Sequence, residues 1–164
     1  MKRKLKKKIL ITSESNFTYG ELIKSDTALR HDIDNMPDEQ SYNNLVSLVN
    51  NVLQPVRNVF GPLRITSGYR SKELCAVMNS SPTSNHTLGQ AADIEPVDPN
   101  IKLIDILEWI YYNCDYRELI AEFFPNGWIH IAYRKKYNNK KLLLKDTLHN
   151  YEKVDLQYIK NIYF

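Results

Sequence analysis

The stretch Leu119-Ile120-Ala121-Glu122-Phe123-Phe124-Pro125-Asn126-Gly127-Trp128-Ile129-His130-Ile131 decides how this chain folds. Two β-rich apolar runs, Tyr116 to Phe123 and Trp128 to Tyr133, flank a Pro-Asn-Gly turn signal, which predicts an antiparallel hairpin. Each run carries one residue out of keeping with an apolar strand: Glu122 in the first and His130 in the second. Parity connects them. A two-residue Asn126-Gly127 turn would set Phe123 against His130 and send Glu122 to the other side. A loop with an odd number of residues puts Glu122 opposite His130 on one face, and that is the arrangement expected.

Upstream of the hairpin, Ile101, Ile104, Ile106, Leu107 and Ile110 have the spacing of an amphipathic helix. Pro96 to Pro99 separates it from a strand entered at Gln90 to Ile94. The segment Asn79 to Gly89, rich in Ser, Pro, Asn and Thr, reads as a loop, and Lys72 to Met78 as one or two helical turns. Leu63 to Ser67 is a short strand that leads into a turn at Gly68-Tyr69-Arg70-Ser71. Leu45, Leu48, Val49, Val52, Leu53 and Val56 form the stripe of a long helix, with Pro37 in its first turn and a kink or a break near its end expected at Pro55. Phe17 to Thr27 reads as a short helix capped by Thr18, with Glu21 three positions on. Downstream, Leu142 to Lys145 adds an edge strand, and the residues beyond Leu148 are weakly patterned. This order argues for an α+β fold: a small, mainly antiparallel sheet with helices packed on it.

The chain has 164 residues, of which 43% are hydrophobic and 25% charged. That is ordinary composition for one domain and excludes wholesale disorder, collagen and coiled coil. No apolar run approaches the ~20 residues needed to span a bilayer. The net charge of +3 comes from one place: six of the 22 basic residues lie within Lys2 to Lys8, leaving 16 against 19 acidic ones. The body is therefore acidic by three charges and is not a nucleic-acid binder. The expected organisation is a flexible basic arm over 1–16, a domain over 17–148 and a C-terminal tail over 149–164. The arm starts like the basic region of a signal peptide, but Ile9-Leu10-Ile11 gives way at once to Thr12-Ser13-Glu14-Ser15-Asn16. No cleaved signal is read, and a cytoplasmic location at synthesis follows. Cys75 and Cys114 are the only cysteines and read as buried free thiols, so any metal must use histidines and carboxylates.

His86 lies in Ser84-Asn85-His86-Thr87-Leu88-Gly89-Gln90-Ala91-Ala92-Asp93, seven residues before Asp93 and joined to it through a glycine turn. With His130 on its strand, two His and one carboxylate make up the composition of a catalytic zinc site with an open fourth position. Taken singly, each also fits a plainer role: His130 as a hydrogen-bonded core residue, Asp93 as a strand-start cap.

The segments Ile65-Thr66-Ser67-Gly68-Tyr69-Arg70-Ser71, Ser84-x-His86-x-x-Gly89-x-Ala91-x-Asp93 and Trp128-x-His130 together resemble the zinc D-Ala-D-Ala carboxypeptidase family with the Hedgehog/DD-peptidase fold. More narrowly they resemble its small phage and bacterial members, which include endolysin-type L-alanyl-D-glutamate endopeptidases. The likeness extends upstream to Phe17-Thr18-x-x-Glu21-Leu22 and Leu53-x-Pro55-Val56-Arg57, and so covers about residues 17–134. It implies that His86, Asp93 and His130 hold Zn2+, and that Arg70 pairs with a substrate carboxylate, unless it makes only a surface ion pair. It implies that Ser84 binds substrate or orients the loop, with simple capping as the alternative. Many relatives have an acid three positions before the last His, where this chain has Gly127. The general base is then Glu122, in a Leu-Ile-x-Glu like that of the small subfamily, with Glu118 as the fallback.

The implied function is a monomeric zinc metallopeptidase cutting peptidoglycan stem peptides, as a D,D-carboxypeptidase or an L,D-endopeptidase. It would act on the wall after release, as a phage or a bacterial product, the arm adding weak attraction to an anionic wall. Two other readings compete: a catalytically silent zinc-bound module, structural or ligand-binding, which Gly127 favours, and a nucleic-acid-associated protein using the arm, which the acidic body disfavours.

Overall fold

Strands β3 (Glu118–Glu122) and β4 (Trp128–Ala132) form the expected hairpin in the computed structural model, which describes residues 9–163. The basic run Lys2 to Lys8 lies outside the described residues. Added to the hairpin are β1 (Leu63–Ser67), β2 (Ala91–Pro96), β5 (Lys141–Lys145) and β6 (Tyr151–Lys153), giving a six-stranded sheet ordered β1-β2-β4-β3-β5-β6. Every neighbouring pair is antiparallel except β3 and β5. That exception has a local cause. β4 ends and β5 begins on opposite sides of Glu118, so the connection 133–140 steps over the start of β3 and lays β5 down parallel to it. β5 is therefore interior and not the edge strand expected; β6 is the edge.

Period-two alternation divides the sheet into two faces. Ala92 and Ile94 on β2, Leu119 and Ala121 on β3, Ile129 and Ile131 on β4, and Leu142 and Leu144 on β5 all join the hydrophobic core. Against them pack α6 (Leu103–Asn113), through Ile106, Leu107 and Ile110, and the helical segment 39–60, through Leu45 to Val56. The intervening strand residues, including Asp93, His130, Ile120 and Glu122, face away from that core and build the site.

Just before Pro55, where a kink or a break was expected, the helical segment changes its hydrogen-bonding pattern. It runs as α3 (Glu39–Leu48), a π-helical turn (Val49–Leu53) and α4 (Gln54–Phe60). Proline lacks a donor and its ring crowds the preceding turn; the widened turn just before it, with Gln54 N bonded to Val49 O, relieves that crowding. At the N-terminal side, Thr18 and Glu21 form the reciprocal capping box of α1 (Tyr19–Ile23), but Ser25 then caps a separate α2 (Asp26–Arg30) where one helix was expected. The remaining short helix is α5 (Lys72–Val77).

The packed chain begins earlier and ends later than the sequence suggested. Ile11 is buried in the core and Leu10 pairs with Thr18, so residues 9–16 are not a loose arm. At the other end, α7 (Leu156–Tyr163) buries Leu156 and Ile159 in the same core, and Lys160 bonds Glu108 of α6. Among the described residues no helix is long and apolar enough to cross a membrane.

Gly127 closes the hairpin by close approach. A Cβ at this position would lie 1.8 Å from the carbonyl oxygen of Glu122, so no side chain, acidic or otherwise, fits without opening the loop. Gly127→Ala is expected to cost about 1–3 kcal/mol, lowering Tm by roughly 3–10 °C in thermal denaturation. An unchanged Tm would show that the loop relaxes freely.

Candidate metal centre

Register places the first two ligands. Asp93 on β2 is the direct cross-strand partner of His130 on β4, and Asp93 Oδ1 lies 2.8 Å from His130 Nδ1. The third comes from a 3-10 turn, Asn85–Leu88, inside the segment expected as loop. Ser84 caps that turn, its side chain accepting from His86 N–H at 3.3 Å, and Gly89 ends it in the left-handed region at φ 66°. Only glycine suits Gly89, since a Cβ there would also sit 2.2 Å from Ser41 O. His86 Nε2 then reaches Asp93 Oδ1 at 3.4 Å and His130 Nδ1 at 3.2 Å. One ligand atom from each residue lies within 4.8 Å of the others, and all three side chains are buried.

Outer hydrogen bonds fix this set. His86 Nδ1 lies 2.7 Å from the carbonyl of Gly68, which can only accept; Nδ1 therefore carries the proton and Nε2 turns its lone pair inward. Asp93 Oδ2 accepts from Arg70 Nη2 at 2.9 Å, and Arg70 Nε donates to Ser67 Oγ at 2.8 Å. Burial alone would raise the Asp93 pKa, but the charges and hydrogen bonds of His86 and His130 hold it far below the usual carboxylate range. Burial lowers the His86 pKa, against the pull of Asp93. Burial works the same way on His130, but its bond to Asp93 and the negative charges of Asp93, Glu122 and Glu118 bring it above the ordinary histidine value. Two imidazole nitrogens and an ionised carboxylate, with His86 and Asp93 oriented from behind and His130 fixed on its strand, are a donor set that suits zinc.

The sequence-predicted residues converge on one cleft of about 1140 Å³. Arg70, Ser84, His86, Asp93, Glu118, Glu122 and His130 all line it. The hairpin loop spans five residues, 123–127, an odd number, so Glu122 shares a face with His130. Its direct partner is Trp128, however, and Ile120 stands opposite His130. Glu122 is 6% exposed, and its Oε2 accepts from Lys145 Nζ at 2.7 Å. Glu118 accepts from Asn85 Nδ2 at 2.9 Å and lies 3.6 Å from Lys141 Nζ. Arg70 makes its ion pair with a buried carboxylate and not at the surface: one arm of its guanidinium bonds the candidate ligand Asp93, and Nη1 has no hydrogen-bond partner among the described residues.

Sequence reasoning missed Lys145. Burial opposes its charge, but hydrogen bonds to Glu122 and Tyr151 push its pKa up, and its ammonium also lies 5.1 Å from the ring centres of Phe123 and Tyr151. The available signal was the spacing of Lys141 and Lys145, four apart on a strand and so on one face.

His86→Ala and His130→Ala are each expected to remove most bound zinc, as read by elemental analysis of purified protein; full occupancy in both variants would refute the site. Arg70→Lys keeps the charge but loses the fork that grips Asp93 and Ser67. Zinc affinity, measured by competition with a chelating dye, is expected to fall about 10–100-fold with little change in Tm.

The family model for Peptidase M15 matches residues 15–132. No curated protein matches the chain. The matched segment contains all three candidate ligands together with Arg70, Ser84, Glu118 and Glu122, and it ends with β4, so that β5, β6 and α7 lie beyond it. With a family model that covers most of its length and the candidate metal centre inside the match, the chain belongs to the Peptidase M15 family.

Proposed function

We propose that this metallopeptidase hydrolyses peptide bonds in peptidoglycan stem peptides, as a D,D-carboxypeptidase or an L,D-endopeptidase of the endolysin type. The observation that carries the reading is the placing of a buried His-Asp-His set, a shielded carboxylate and an arginine with a free guanidinium nitrogen in one cleft. Stem peptides offer the matching chemistry: peptide bonds flanked by carboxylates. A place of action at the wall, after release of a phage-encoded chain, belongs to the same proposal.

His86, Asp93 and His130 would hold the zinc, which when bound supplies Lewis acidity that activates water and polarises a carbonyl. Glu122 takes the proton from the attacking water and delivers it to the departing amine. Lys145 keeps Oε2 of Glu122 occupied, so Oε1 is the oxygen left for the proton. Nη1 of Arg70 is the donor available to a substrate carboxylate beside the ligands. Ile120 adds an apolar lining opposite His130, and the burial of Glu122 limits access of bulk water to the base. Gly127, which favoured a silent module, has a steric role in the hairpin, and a carboxylate is supplied from the neighbouring strand instead.

Glu122→Gln retains an oxygen that accepts from Lys145. The expected product is a folded, zinc-loaded protein whose rate on purified peptidoglycan, followed by mass spectrometry of released fragments, falls about 10²–10⁴-fold. Wild-type activity in Glu122→Gln, with loss in Glu118→Gln, would transfer the role to Glu118. A zinc-loaded wild type that releases no fragment from peptidoglycan would overturn the substrate.

A further inference from the structure

The cleft reverses the charge of the protein that surrounds it. The chain outside residues 1–8 carries three more acidic than basic side chains, yet six cationic and three acidic side chains line the cleft. Each acid is already paired: Asp93 with Arg70 at 2.9 Å, Glu118 with Lys141 at 3.6 Å and Glu122 with Lys145 at 2.7 Å. Arg117, Arg134 and Lys153 remain, none with a carboxylate within ion-pair distance among the described residues.

Two of these three stand together. Arg117 immediately precedes β3 and donates its backbone N–H to Ala132 O at 2.7 Å, while Arg134 follows two residues after that same alanine. Arg134 is fixed by neutral amides, its Nε donating to Gln90 Oε1 at 2.8 Å and its Nη2 lying 3.5 Å from Asn85 Oδ1, so its charge is oriented without being neutralised. Burial and the positive charge of Arg117 lower its pKa, against the pull of the Glu118 carboxylate. The Arg117 side chain makes no hydrogen bond among the described residues, and its Nε is buried without a partner. A half-buried guanidinium whose Nε has no partner, beside a second one, costs stability, and a bidentate oxyanion is the group that relieves it.

We propose that Arg117 and Arg134 form an anion subsite that takes a second carboxylate of the peptide substrate. It lies at the strand-end side of the cleft, three strand positions from Ile120, which stands opposite His130. That is roughly 10 Å, about three residues of extended peptide. Arg70 lies on the other side of the ligand set, held against β1 and β2, so the two guanidinium sites bracket the position of the scissile bond. The proposal rests on the peptidase reading and gives it a substrate class: peptides with carboxylates on both sides of the cut.

The test compares a stem peptide carrying a free side-chain carboxylate with the same peptide amidated at that carboxylate. Wild type is expected to prefer the free acid about 10–100-fold in kcat/KM, chiefly through KM. Arg117→Met should erase that preference, spare the turnover of the amidated peptide and keep or raise Tm, since it removes a half-buried charge whose Nε has no partner. A lowered Tm with the preference intact would make Arg117 structural and overturn the subsite. Isothermal titration of both peptides into zinc-loaded Glu122→Gln, with and without Arg117→Met, reads the subsite without turnover. An Arg117-dependent binding difference with no cleavage by the wild type would support the subsite while refuting the peptidase substrate. Cleavage of both peptides with equal affinity would refute the subsite alone.

Discussion

The pairing of Asp93 with His130 across β2 and β4 is the constraint on which the rest of the molecule depends. It brings together residues 37 apart in sequence at 2.8 Å, and the sheet register allows no small adjustment. A one-residue slip of either strand would send its ligand into the helix-packed core and bring a core residue such as Ile94 or Ile129 to the cleft. The same alternation that buries Ile129 and Ile131 thus holds His130 out of the core. Packing and chemistry are two faces of one register, and the helices on the far side fix the ligands by fixing the apolar half of the strands.

Burying an ionised aspartate next to two imidazoles is costly unless each lone pair is used. Here Oδ1 serves the histidine side and Oδ2 is taken by Arg70. Arg70 in turn is held by Ser67, and His86 by the carbonyl of Gly68, so both outer contacts come from β1 and the residue that follows it. The first strand of the sheet supplies no ligand, yet it sets the tautomer of one and the orientation of another. That accounts for an Ile-Thr-Ser-Gly-Tyr-Arg stretch lying so near a site whose ligands are all elsewhere.

Much of this was legible in the chain because the relevant signals are local. The Pro-Asn-Gly turn, the alternation in Trp128-Ile129-His130-Ile131, the Ser84 to Asp93 spacing and the Thr18–Glu21 capping box each act over ten residues or fewer, and each appears in the structure. What escaped was set by long-range packing. The parallel placement of β5 depends on which side of β3 the chain passes after β4, which no strand-length pattern encodes. The π turn before Pro55 is one of several ways for a helix to accommodate that residue, chosen by the core beneath it. Residues 9–16 place only Ile11 in the core, too few for a periodic signal, whereas α7 does set Leu156, Ile159 and Tyr163 at helical spacing against it, a stripe of only two turns that is easily passed over. The parity argument for Glu122 found the right face but the wrong partner, because a five-residue loop puts Trp128, not His130, across from it.

The bond between Lys145 and Glu122 has a consequence for modularity. The segment that defines the family ends with β4, and by that measure the catalytic unit ends there too. Yet the counter-ion of the candidate base sits on β5, thirteen residues past that boundary. Stripping a partner from a buried ion pair typically costs about 3–5 kcal/mol, and losing β5 would also lay bare the β3 edge for unintended strand pairing. In this protein, unlike a mosaic of exchangeable parts, the C-terminal strands cannot be transplanted or trimmed independently of the chemistry. A chimaera that exchanged them for a foreign domain at the family boundary would inherit every candidate ligand and lose the lysine that pairs with Glu122.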